Sequence, residues 1–139
     1  MLRIAIIDND MDAAKQMEAF IHRYAQTEGL AVSVAAFDRA DKFLSRYEPI
    51  YDIIFMEIEL PGLDGMEAAR RLRRKDSDVV LVFVTAFARH AIRGYEVDAL
   101  DYVLKPVNYY QFCTKLSRAV QRVQRRRGGQ VVLQLAGGG

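Results

Sequence analysis

Short apolar runs alternate with amphipathic stretches from one end of the chain to the other. Leu2 to Ile7 is apolar except for Arg3 and is stopped by Asp8-Asn9-Asp10, the pattern of a strand covered on both faces. Residues 12–27 carry Ala14, Met17, Ile21 and Tyr24 at helical spacing and meet Gly29, which suits a helix C-terminus. Ala31 to Phe37 predicts a second strand, and residues 39–47 predict a short helix closed by Pro49. Tyr51 to Ile58 predicts a third strand, followed by the turn formers Pro61-Gly62 and Asp64-Gly65. Residues 66–74 form a helical pattern with Met66, Ala69 and Leu72 inward. The β-branched run Val79 to Val84 is the best central strand. Residues 88–97 predict a helix with a thin apolar face, and Asp101 to Lys105 a short fifth strand broken by Pro106. Phe112, Leu116, Ala119 and Val123 make the stripe of a last helix.

Strand and helix in strict alternation imply an α/β fold. Each right-handed crossover lays a helix on a five-stranded parallel sheet, and both faces become covered. Ligands of such a doubly wound fold belong at the carboxyl ends of the strands, where the strand order switches. Beyond Arg127 the character changes. Gly128-Gly129 should not continue the helix, and the alternation of Val131, Leu133 and Leu135 within 130–136 fits a strand in need of a partner. Residues 1–124 are therefore expected to form one domain, and 125–139 a linker or the beginning of an output domain.

Composition narrows the class. The 139 residues fit one domain, and 51% are hydrophobic, enough for a core. A net charge of +2 leaves no dominant field of one sign, and the basic clusters at 70–75 and 122–127 read as solvated helix faces. Direct nucleic-acid binding by this chain is not expected. The lone Cys113 cannot close an internal disulfide and reads as a buried small apolar residue, which suits a reducing compartment. Neither a signal peptide nor a membrane-length apolar run is evident, so a cytoplasmic protein is expected. His22 and His90 have no ligand-spaced partner and read as surface or boundary residues.

Chemistry concentrates at the predicted strand ends. Asp8 and Asn9 follow the first strand, Glu57 ends the third, Thr85 follows the fourth and Lys105 the fifth. Two carboxylates 4 Å apart repel by about 4 kcal/mol at an effective dielectric near 20. A cation must therefore sit between them, either Lys105 or a divalent metal such as Mg²⁺.

Four segments carry a resemblance: 4–10 (IAIIDND), 51–65 (YDIIFMEIELPGLDG), 83–87 (FVTAF) and 99–107 (ALDYVLKPV). In this order they resemble the receiver domains of two-component response regulators, above all those with a LytTR-type DNA-binding output domain. The resemblance implies a flavodoxin-like sheet of order 2-1-3-4-5. It also implies a histidine kinase as phosphodonor and an acceptor at the position of Glu57. Asp8, Asn9, Glu57 and the carbonyl of Glu59 would then hold Mg²⁺. Thr85 would be the switch hydroxyl, Lys105 the phosphoryl-binding cation and Tyr102 the aromatic that turns inward on activation. The bond before Pro106 would be cis.

Two positions depart from the family. Glu57 stands where an aspartate is the acceptor, and Asn9 where a second acid holds the metal. An amide oxygen can coordinate Mg²⁺ but removes one anion from the set, so weak metal binding is expected. The Glu57 carboxylate lies one methylene further out, and a misplacement of about 1 Å can cost on the order of 100-fold in phosphoryl transfer. Three readings follow: a pseudo-receiver that is not an enzyme and signals without phosphorylation or with little; a working phosphoacceptor; and a small flavodoxin-like cofactor-binding protein. The third is disfavoured, because Asp8-Asn9-Asp10 would repel a phosphate that a cradle should attract. Residues 88–123 are expected to form a homodimer or output-domain face. Arg93, Glu96, Asp98, Asp101, Lys115, Arg118 and Arg122 could supply cross-interface ion pairs there.

Overall fold

The computed structural model describes residues 1–138, the side chains of Ala91 and of residues 129–138 excepted. Its strands are β1 (Leu2–Ile7), β2 (Val32–Phe37), β3 (Ile53–Glu57), β4 (Val80–Thr85) and β5 (Asp101–Leu104). They form one parallel sheet of order β2-β1-β3-β4-β5, as the resemblance implies. Helices α1 (Met11–Glu28), α2 (Ala40–Ser45), α3 (Gly65–Lys75) and α4 (Tyr109–Gly138) cover it, with a 3-10 helix over Ala88–Val97.

Alternation along the strands divides the core in two. Ile4, Ile6, Ile53, Phe55, Val82 and Val84 face α1 and α4, meeting Met17, Ile21, Phe112 and Leu116. Ala5, Ile7, Ile54, Met56, Leu81 and Phe83 face α2 and α3, meeting Phe43, Met66, Ala69 and Leu72. Gly29 ends α1 in the left-handed region at φ 67°, as its position in the sequence predicts. Asp10 caps the start of α1 by accepting from the amides of Asp12 and Ala13, which gives this third residue of the loop a structural task.

Three expectations change. Residues 88–97 wind as a 3-10 helix rather than an α-helix. This segment lacks a continuous apolar stripe, and Gly94 lies so close to the Phe83 ring that a Cβ would sit 3.3 Å from it. Its end is held by Arg73, whose guanidinium donates to the carbonyls of Val97, Val79 and Asp98. The backbone of α4 continues to Gly138, so 130–136 is helical where a strand was expected. A lone strand has no ladder to join, whereas a helix satisfies its own amides. Cys113 is half-buried rather than buried, and Tyr24 likewise lies at the margin of the core.

At the edge opposite the site, Asp52 gathers three elements. Its Oδ2 accepts from the amide of Arg3 in β1 at 2.8 Å and from Arg127 of α4 at 2.9 Å, and Arg127 also donates to the Met1 carbonyl.

Candidate functional site

Strand register brings the polar residues together. Ile7 pairs with Met56, so Asp8 stands level with Glu57; Glu57 pairs with Val84, and Thr85 with Leu104, so Thr85 and Lys105 each follow one step further. All sit at the carboxyl edge, where β1 and β3, the strands flanking the switch in order, part company. Asp8 (1% exposed), Glu57 (6%) and Thr85 (0%) are the buried polar residues among those described.

Lys105 provides the cation. Its ammonium donates to Glu57 Oε1 at 2.8 Å and lies 2.9 Å from Asp8 Oδ2. The second contact is an ion pair rather than a well-aligned hydrogen bond, and Asp8 Oδ2 has no other partner among the described residues. Asp8 Oδ1 accepts from the Asp10 amide, and Glu57 Oε2 from the Glu59 amide. Burial works against the ammonium, but the hydrogen bond to Glu57 and the two carboxylate charges outweigh it and hold Lys105 above its ordinary value. The Lys105–Pro106 bond is cis, as the resemblance implies.

The loop under Glu57 leaves no slack. Gly65 opens α3 directly beneath it, and its amide donates to Ile58 O at 2.8 Å. A Cβ here would lie 2.1 Å from the Glu57 carbonyl oxygen, so only glycine fits. Asp64 caps the same helix through the Glu67 amide.

The remaining expected site residues lie differently. Thr85 does not meet Glu57; it accepts from the Phe87 amide at 3.1 Å and donates to the Phe87 carbonyl at 3.4 Å. Asn9 is exposed beside the pocket. Tyr102 is half-buried against the α3 side of the core, with the Lys115 ammonium 5.0 Å over its ring. His90 is the boundary residue the sequence predicts, and its Nε2 contacts Glu59 Oε1 at 3.1 Å. Its position five residues beyond Thr85 held the signal, but only the coiling of the 3-10 helix brings it back to the β3 loop. On the 88–123 face, Asp101 pairs with Lys115 and Arg118, and Glu96 with Arg70, so these charges are engaged within the chain.

The donor set can be tested against Mg²⁺. Among the described residues no three Asp, Glu, His or Cys side chains group as a metal set. Asp8, Glu57 and the Glu59 carbonyl remain, and the unaligned, buried Asp8 Oδ2 retains coordinating capacity. These groups fit a hard cation only weakly, because the Lys105 ammonium already sits against both carboxylates and offsets one of their two charges.

A parallel sheet of this order, with carboxylates, a hydroxyl and a lysine gathered at its switch point, defines a signalling receiver. The profile of the response regulator receiver domain matches residues 4–117, and the chain belongs to that family. It is similar to the sensory transduction protein LytT of Bacillus anthracis, 29% identical over 124 residues that make up 89% of this chain and 49% of that protein. It is also similar to an uncharacterized response regulatory protein of Yersinia pestis, 32% identical over 85% of this chain and 48% of that one. The chain thus spans about half the length of the curated relatives it matches. Among solved structures it resembles the response regulatory domain of the mrkE protein from Klebsiella pneumoniae. The TM-score there is 0.76 at 24% identity, over 89% of this chain and 99% of that one. The family match decides against the cofactor-binding alternative. No helix of the described residues is long and apolar enough to cross a membrane.

Proposed function

We propose that this chain is a pseudo-receiver, a regulatory domain that catalyses nothing and whose phosphorylation pocket is filled from within. The observation that carries the reading is the 2.8 Å hydrogen bond from Lys105 to Glu57. In a receiver the lysine contacts the incoming phosphoryl group; here the longer acceptor-position side chain already occupies it. Glu57 supplies about one negative charge where a phosphate monoester adds about −1.5 to −2, so the imitation of the modified state is partial. Thr85 is consistent with a partial imitation, since its hydroxyl stays with its own loop. Asp8, Asn9, Glu57 and the Glu59 carbonyl would hold Mg²⁺ at best weakly.

The test is incubation with Mg²⁺ and acetyl phosphate, followed by intact-mass spectrometry. No added phosphate is expected. A stoichiometric adduct on Glu57 would support the second reading, a working phosphoacceptor served by a histidine kinase. That reading is favoured by the buried Asp8 Oδ2, which faces the pocket with the Lys105 ammonium as its ion-pair partner.

In the full-length protein we place residues 1–124 as the receiver and 125–139 as its connection to a LytTR-type DNA-binding output domain, in the cytoplasm. The relatives named LytT, about twice as long as this chain, support that arrangement. A homodimer through 88–123 would rest on Ile92, Tyr95 and Leu104, which are exposed apolar residues, rather than on Asp101 or Glu96. Sedimentation at high concentration reads it directly.

A further inference from the structure

The loop after β4 is tied to the loop after β3 by one side chain. A carboxylate can only accept, so at the 3.1 Å contact with Glu59 Oε1 the Nε2 of His90 carries the proton and donates. The Phe87 ring stands edge-on to the imidazole, centroids 5.9 Å apart, and Arg89 lies over the same ring at 4.6 Å. Phe87 in turn holds Thr85 through its amide and carbonyl. On the far side, the Glu59 amide reaches Glu57 Oε2 at 3.3 Å. Contacts therefore run around the rim of the pocket in one series: Glu57, Glu59, His90, Phe87, Thr85.

We propose that His90 is a positioning residue. By fixing the β4 loop to Glu59 it keeps Phe87 where its backbone engages the Thr85 hydroxyl, and so holds that hydroxyl out of the pocket. Glu59 is half exposed, so the contact adds little to global stability; its effect is on the geometry of the loop. This separates a positioning role from simple packing. The inference stands on the loop contacts and holds whether or not Glu57 accepts phosphate.

The experiment is amide hydrogen exchange by NMR on the whole chain, read at Phe87, with the amides of Val82 and Val84 as a monitor of the core. His90→Ala and Glu59→Ala are each expected to raise exchange at Phe87 by about tenfold while the core amides stay unchanged. The double variant should exchange no faster than either single one, because both remove the same link. His90→Gln, which keeps a donor, should restore most of the protection. Unchanged exchange at Phe87 in both single variants, or effects that simply add, would overturn the proposal. Glu59→Ala lies on the surface and keeps the test decisive should His90→Ala disturb the fold.

Discussion

Glu57 and Lys105 are joined by a 2.8 Å hydrogen bond in a pocket where the lysine side chain is 17% exposed and the glutamate side chain 8%. The same ammonium faces Asp8, whose side chain is fully buried. One cation thus faces two carboxylates, and its removal leaves both without an opposite charge, each held only by a backbone amide. Lys105→Met is expected to lower the unfolding free energy by about 3–5 kcal/mol, the usual cost of stranding a buried charge. Urea denaturation measures it. Adding Glu57→Leu to that variant should recover part of the loss, since one stranded carboxylate goes with it.

The same contact sets an alkaline limit. The folded pKa of Lys105 lies above its unfolded value, so the stabilisation is complete below about pH 10.4 and drains away as pH rises through the folded value. Tyr47, pushed up by burial and by its hydrogen bond to Asp76, acts in the same direction. Urea midpoints from pH 8 upward should fall less steeply in Tyr47→Phe. At the acid end, burial of Asp101 is outweighed by its hydrogen bond to Lys115, which holds its carboxyl below the ordinary value. Its contribution is present above about pH 3.9 and lost as pH falls through the folded value, and Asp101→Asn should flatten that limb.

Shortening one side chain and charging another should convert the pocket. Glu57→Asp withdraws the carboxylate from Lys105, and Asn9→Asp returns the missing anion to the metal set. The double variant is expected to take up beryllofluoride and acetyl phosphate in a Mg²⁺-dependent manner, read by intact mass. A double variant that stays inert would place the defect outside these two residues.

Gly65→Ala probes the support beneath the acceptor position. The added methyl would fall within 2.1 Å of the Glu57 carbonyl oxygen, so either α3 or the end of β3 must shift. A loss of about 1–3 kcal/mol is expected, together with shifted NMR resonances at Glu57 and Lys105.

The alternation of strands and helices and the gathering of polar residues at the carboxyl edge were legible in the sequence, because period and spacing encode them; that a cation must face the acids followed from charge, with Lys105 and a divalent metal both open. What escaped notice depends on geometry that period does not encode. Thr85 turns to Phe87, whose amide in the same loop donates to its hydroxyl. His90 reaches Glu59 only because residues 88–97 coil as a 3-10 helix. Asp101 reads as a charge for a cross-interface ion pair until α4 lays Lys115 and Arg118 of the same chain over it. The helical backbone through 130–136 was hidden by an alternation that favours a strand only when a neighbouring strand exists.

Asp52 binds β1 and α4 with a single carboxylate oxygen, 2.8 Å from the Arg3 amide and 2.9 Å from Arg127. This one oxygen therefore links α4 to the first strand and to the residue that precedes the third. Those strands run parallel and side by side in the sheet. α4 is thus tied to the sheet at two edges, through its short covalent link to Lys105 beside the pocket and through Arg127 at the opposite edge, so a displacement of the lysine loop acts on a helix whose far part is already held.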